Sequence, residues 1–164
     1  MRARAFVAIG SNLGDRSALC AEAQRRLAFL PETVVVRASP LMETPPQEGA
    51  EGGPFLNGVV ELATALAPEE LLVAVRQIEA ALGRPVDHAR GRARTMDLDI
   101  LLYDDRILRH VGLEIPHPRM AGRRFVLEPL AAIAPDVRHP VLDLTAVELL
   151  DRLASAPRAA DGTP

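Results

Sequence analysis

The chain has 164 residues, 48% of them apolar and 25% charged, the balance of an ordinary globular protein large enough for one domain with a proper core. Its formal net charge of −3 argues against a general nucleic-acid or membrane-surface binder. Cys20 is the single cysteine, which excludes an internal disulfide.

The start of the chain offers only a short apolar segment before Gly10, too short for a signal peptide, and no stretch approaches membrane-spanning length. A cytoplasmic location is the expectation. Ala5 to Ile9 reads as a buried strand stopped by Gly10-Ser11-Asn12. From Asp15 to Leu30 the residues Leu19, Ala23, Leu27 and Leu30 recur at helical spacing, and Pro31 stops the helix. Cys20, in this Ala-rich helix, reads as a packing residue rather than a nucleophile. Valine-rich Thr33 to Ser39 is a second strand. Thr44 to Pro54, rich in Pro and Gly, reads as a long mobile loop.

Phe55 to Ala63 is a third strand. Pro68 then opens a helix whose stripe is Leu71, Val75, Ile78 and Leu82, with Gly83 ending it. Pro85 to Arg94 lacks apolar periodicity and reads as a second mobile loop. A fourth strand covers Asp97 to Tyr103. Thr145-Ala146-Val147-Glu148 has the form of a capping box, with Leu144 and Leu149 as its staple, so a last helix runs to about Leu153. The expectation is one domain over residues 1–153 and a frayed tail at 154–164. The order strand, helix, strand, strand, helix, strand matches a ferredoxin-like βαββαβ core, an α/β (α+β) sandwich with an antiparallel sheet and additional helices.

The chemistry gathers around Thr95-Met96-Asp97-Leu98-Asp99-Ile100. Side chains alternate across a strand, so Asp97 and Asp99 share one side. Two neighbouring carboxylates in an apolar setting repel and resist desolvation, and Mg²⁺ relieves both costs. Solvated acids at a strand end are the plain alternative. Arg90, Arg92 and Arg94 lie just upstream and are the donors that grip phosphate. All 19 basic residues are arginine, so only such clusters are informative. His117, between Pro116 and Pro118, has a restricted backbone that suits a fixed contact. Arg123 and Arg124 precede an apolar run. Phe6 and Phe29 take core positions, whereas Phe55 and Phe125 border a loop and an arginine pair, where a planar heterocycle could stack between them. Asn57, two residues after Phe55, shares its side and could read the donors and acceptors of such a ring.

Val7-Ala8-Ile9-Gly10-Ser11-Asn12-Leu13-Gly14, Glu43-Thr44-Pro45-Pro46, Phe55-Leu56-Asn57, Arg94 to Ile100 and Ile115-Pro116-His117-Pro118 together resemble the 6-hydroxymethyl-7,8-dihydropterin pyrophosphokinase family, in order and spacing, to about Pro140. The resemblance implies transfer of the pyrophosphoryl group of ATP to the hydroxymethyl of a reduced pterin, leaving AMP, a step that feeds folate synthesis. It implies two Mg²⁺ ions on Asp97 and Asp99, and arginines of the catalytic loop at Arg84 and Arg94. ATP contacts would fall on Glu79, Arg76, Ile100, His117 and Arg123. The pterin would lie between Phe55 and Phe125, bonded by Asn57 and by the backbone around Thr44, Pro45 and Gln47. A monomer without nucleic-acid or membrane partners is expected, its two loops closing over the pterin after ATP and Mg²⁺ bind. Against the family's pattern, Gly91 stands where some members carry tryptophan. Arg76 replaces a frequent glutamine, Val86 and Gly112 replace arginines, and Phe55 replaces a tyrosine. The rivals are a non-catalytic sensor of a nucleotide or metabolite and an RNA-binding module on the same fold. A sensor does not need the acid pair, and the strands lack the aromatic platform RNA binding requires.

Overall fold

Strand β1, Ala3–Ser11, is apolar along most of its length and lies inside the sheet, with a strand on either side. In the computed structural model, which describes residues 1–45, 52–83 and 96–156, β1 is followed by α1 (Arg16–Ala28), β2 (Thr33–Ala38), β3 (Met42–Thr44), β4 (Phe55–Thr64), α2 (Pro68–Ala81) and β5 (Asp97–Tyr103). The main sheet runs β2-β4-β1-β5, every pair antiparallel, with β3 also paired to β4. Helices α1 and α2 make the two crossovers, and the result is the ferredoxin-like arrangement expected from the element order. Beyond it come a small hairpin, β6 (Leu108–His110) and β7 (Leu113–Ile115), and two helices, α3 (Arg124–Ile133) and α4 (Ala146–Ser155).

Alternation divides the sheet into two faces with separate cores. Val7, Ile9, Val60, Leu62, Leu98 and Ile100 pack against Cys20, Ala23 and Leu27 of α1 and Leu71, Val75 and Ile78 of α2. On the other face Phe6, Val59, Leu101 and Leu102 meet Val126, Leu127, Leu130 and Ile133 of α3 and Ala146 and Leu149 of α4. Cys20 is fully buried, as its helical context suggested, and burial pushes its thiol up to about 11, so it is an inert packing residue.

Several expectations are corrected. Phe29 is 76% exposed at the end of α1 and is covered only by the Arg25 guanidinium, 5.5 Å from its ring centre. Thr44 is not a loop residue, because it pairs with Phe55 at the end of β3. The β6–β7 hairpin was not foreseen. It turns through Val111-Gly112, with Gly112 at a φ of 79° that a side chain disfavours. The register of β1 against β5 shifts between Phe6 and Val7, which pair with Leu102 and Ile100. Leu101 is the extra residue, and past it Leu102 faces α3 and α4 instead of following Leu98 and Ile100. Helix α4 continues two residues past the expected end at Leu153. The loop expectations over 46–51 and 84–95, with Gln47, Arg84 and Arg94, and most of the expected tail fall outside the described residues.

The capping box of α4 forms as read: Glu148 N–H donates to Thr145 Oγ1 at 3.2 Å and Thr145 N–H to Glu148 Oε2 at 2.8 Å. Leu144 and Leu149 join the core beneath α3. Thr145→Ala should cost about 1 kcal/mol of stability in a denaturant titration. An unchanged midpoint would mean that the box does not anchor the helix.

Candidate active site

The antiparallel registers put three residues in one row across the sheet: Asn57 of β4 opposite Gly10 of β1, and Gly10 opposite Asp97 of β5. Residues directly opposite share a face, so Asn57, Gly10 and Asp97 point the same way. In the next row of that face Ala8 lies between Val59 and Asp99. Helix α3 packs on β3 and β4 and closes one side of this surface.

Asp97 and Asp99 are both half-buried, alternating with Met96, Leu98 and Ile100, which are buried. Burial, and then the charge of Asp97, push Asp99 up to about 6. Behind the pair, Glu79 of α2 is buried and accepts the Leu98 N–H at 2.8 Å and the Arg76 guanidinium at 3.0 Å. That bond pins the strand between the two acids, and it brings the Arg76 charge close enough to act on both. His117 Nε2 approaches Asp99 Oδ2 at 4.0 Å. The Arg119 N–H donates to His117 Nδ1 at 3.2 Å, which leaves the proton of the neutral ring on Nε2. Burial, with Arg123 and Arg119 nearby, lowers His117 to about 4, so this ring is uncharged at neutral pH.

The donor chemistry suits a hard divalent cation. Two carboxylates on one side, one strained by its neighbour's charge, are relieved by such an ion, and Mg²⁺ takes one or two carboxylates and completes its shell with phosphate and water. Among the described residues no group of three His, Cys, Asp or Glu comes together.

A cleft of about 230 Å³ opens beside Asp99, lined by Arg76 and Leu72 of α2, Ile100, His117 and the β6–β7 hairpin. Arg76, Ile100 and His117, three of the residues expected at ATP, therefore line one cleft. Glu79 is buried behind it, and Arg123 acts on Asp99 and Asp97 through its charge. Leu72, His110, Leu113 and Glu114 also face the cleft and were not singled out from the sequence. Only the Val111-Gly112 turn flagged their hairpin, whose strands are three residues each.

Asn57 lies beside Thr44 and near Phe55. Its Nδ2 donates to Thr44 Oγ1 at 2.6 Å. Its Oδ1 points toward Gly10, where a Cβ would lie 3.1 Å from it and 3.7 Å from the Phe55 ring. Phe55 is half-buried on the same strand, Pro45 is exposed next to Thr44, and Phe125 packs at the edge of the core beneath α3 with Arg123 5.5 Å over its ring. The surface thus has an amide, an aromatic wall and a floor of bare main chain.

The family model for 7,8-dihydro-6-hydroxymethylpterin-pyrophosphokinase (HPPK) matches residues 6–135. The chain is 44% identical over 137 residues to a 2-amino-4-hydroxy-6-hydroxymethyldihydropteridine pyrophosphokinase of Pseudomonas aeruginosa, covering 84% of each chain. It is 42% identical over 133 residues to the Bacillus subtilis enzyme of the same name, covering 81% of this chain and 79% of that one. The folic acid synthesis protein fol1 of Schizosaccharomyces pombe is 38% identical over 151 residues, which is 92% of this chain and only 20% of that protein. The fold is also that of wild-type Plasmodium falciparum HPPK-DHPS, with a TM-score of 0.73 at 16% identity, over 93% of this chain and 45% of the longer one.

Asp99 sits above its ordinary value of 3.8 in the fold, so it costs stability in full above about pH 6, and the cost fades as the pH falls from there to 3.8. Asp99→Asn should therefore raise the melting temperature of metal-free protein near neutral pH by a few degrees, with the gain shrinking toward about pH 4. Calorimetry in a chelator decides it, and a variant that melts no higher than wild type at neutral pH removes the repulsion argument.

Proposed function

The chain belongs to the 7,8-dihydro-6-hydroxymethylpterin-pyrophosphokinase family, and we propose that it transfers the pyrophosphoryl group of ATP to the hydroxymethyl of 6-hydroxymethyl-7,8-dihydropterin, releasing AMP, a step of folate biosynthesis. The row Asn57–Gly10–Asp97 carries this reading. It sets a ring-reading amide and the first of the paired acids two strand spacings apart, about 10 Å, over a floor with no side chain. A flat bicyclic ring laid on that floor reaches from the amide toward the acids.

The residues then divide the work. Asn57 Oδ1 accepts from the ring's amide edge, held in that orientation by its own bond to Thr44. Phe55 and Phe125 supply stacking faces, Pro45 follows Thr44 beside them, and Gln47 would add a contact to the pterin. The nucleotide takes the cleft, its phosphates drawn to the Arg76 and Arg123 guanidiniums, with neutral His117 donating from Nε2 and Ile100 packing beneath. Arg84 and Arg94 would add charge to the transferred group. Asp97 and Asp99 would hold two Mg²⁺ ions, which when bound neutralise the triphosphate and favour attack by the hydroxyl. Glu79 fixes the acids through Leu98 and orients Arg76. Both substrates are small and water-soluble, which fits a cytoplasmic location; among the described residues no helix is long and apolar enough to cross a membrane.

Incubation with ATP, Mg²⁺ and the hydroxymethyl dihydropterin should give pterin-dependent AMP. ADP as the sole product would indicate ordinary kinase chemistry, and no pterin dependence would favour a sensor. Asp97→Ala should retain the fold and lose about three orders of magnitude or more in turnover, since it removes charge stabilisation made in the transition state. Near-wild-type turnover at saturating Mg²⁺ would refute the metal role.

Asn57→Ala should chiefly weaken the pterin, by about 1–3 kcal/mol, because a buried polar edge loses its partner. Calorimetry with 6-hydroxymethylpterin reads this directly, and an unaltered affinity removes Asn57 from the pocket.

A further inference from the structure

Arg16, the first residue of α1, reaches across to both strand ends that carry the pterin-facing groups. Its Nη1 donates to the Pro54 carbonyl at 2.7 Å and its Nη2 to Glu43 Oε2 at 2.9 Å. Pro54 immediately precedes Phe55, and Glu43 immediately precedes Thr44, whose hydroxyl accepts from Asn57. Each arm of the guanidinium is therefore one residue from a member of the pocket. The side chain is 29% exposed and Glu43 is 58% exposed, so the ion pair alone contributes little to folding. What the fork supplies is geometry. It fastens the last turn of backbone before β4 and the short strand β3, held otherwise by only three paired residues, to one rigid point on α1.

We propose that Arg16 is a positioning residue for the pterin. It does not touch the ring. It holds the Thr44–Asn57 hydrogen bond and the Phe55 wall in register, so that the amide is already turned toward Gly10 when substrate arrives. The planar fork matters, because a lysine in its place can reach the carbonyl or the carboxylate but cannot hold both at fixed angles. Arg16 is not among the residues that line the nucleotide cleft, so its influence falls on the pterin side.

This inference rests on the pterin reading above, and the experiment separates the two. Wild-type protein is first assayed for AMP release from ATP, Mg²⁺ and 6-hydroxymethyl-7,8-dihydropterin; no pterin-dependent AMP overturns that reading and this inference with it. With activity in hand, Arg16→Ala should raise the pterin KM roughly tenfold, the equivalent of one charge-assisted hydrogen bond, and leave the ATP KM within about twofold. Arg16→Lys should fall between, and Glu43→Gln should reproduce part of the effect. A purely structural arginine would lower the melting temperature and the active fraction while sparing both KM values. A folded Arg16→Ala with unchanged pterin KM, or with both KM values raised alike, overturns the proposal. Should that variant fail to fold, Glu43→Gln decides, and an unchanged pterin KM there overturns it as well.

Discussion

Leu98 sends its side chain into the core shared with α2 and gives its N–H to the buried carboxylate of Glu79. That bond fixes the strand segment from which Asp97 and Asp99 project. A strand end bearing two acids would by itself fray toward water, where like charges separate and hydrate. Here the apolar residues between the acids are buried, the intervening amide is tied to a helix, and the charges are held together on the opposite face. The cost of that arrangement appears as the raised value of Asp99. A folded state that carries such a cost is suited to a cation, and the catalytic reading begins there.

The two-core construction explains how strain at one end of β5 coexists with a stable sheet. One face is filled by α1 and α2 and shows apolar residues with few interruptions. The other face is filled by α3 and α4 only over its far half, around Phe6, Val59 and Leu102. Toward the other end of that face Asn57, Gly10 and Asp97 form their row, with α3 alongside on β3 and β4. The extra residue Leu101 sends Leu102 to the same side as the acids, so β5 serves the first core at its start and the second further along.

Much of this was legible in the sequence because periodicity and caps are local signals. The long strands, both crossover helices and the α4 capping box were bounded to within a few residues, and the acid pair stood out because paired carboxylates inside an apolar run are costly. The missed features depend on distant partners. Strands β3, β6 and β7, at three residues each, are too short to alternate detectably, and they exist because β4 and each other supply hydrogen bonds. The cleft residues His110 and Glu114 went unseen with them. Phe29 looked like core by residue type, yet it lies past the last turn that faces the sheet. Strict alternation would put Leu102 on the face of Leu98, and a one-residue bulge breaks it without any mark in the local composition. Glu79 matched a family position, but its burial and its bond to Leu98 could be seen only in three dimensions.

Gly10 has a consequence for how such a pocket can change. Its floor is peptide, so no rotamer can shift to admit a bulkier molecule or exclude a lookalike, and any side chain introduced there presses on the Asn57 amide proposed to read the ring. Inhibitors that press flat against this floor would leave escape mutations only the walls to work with, since thickening the floor harms inhibitor and substrate together.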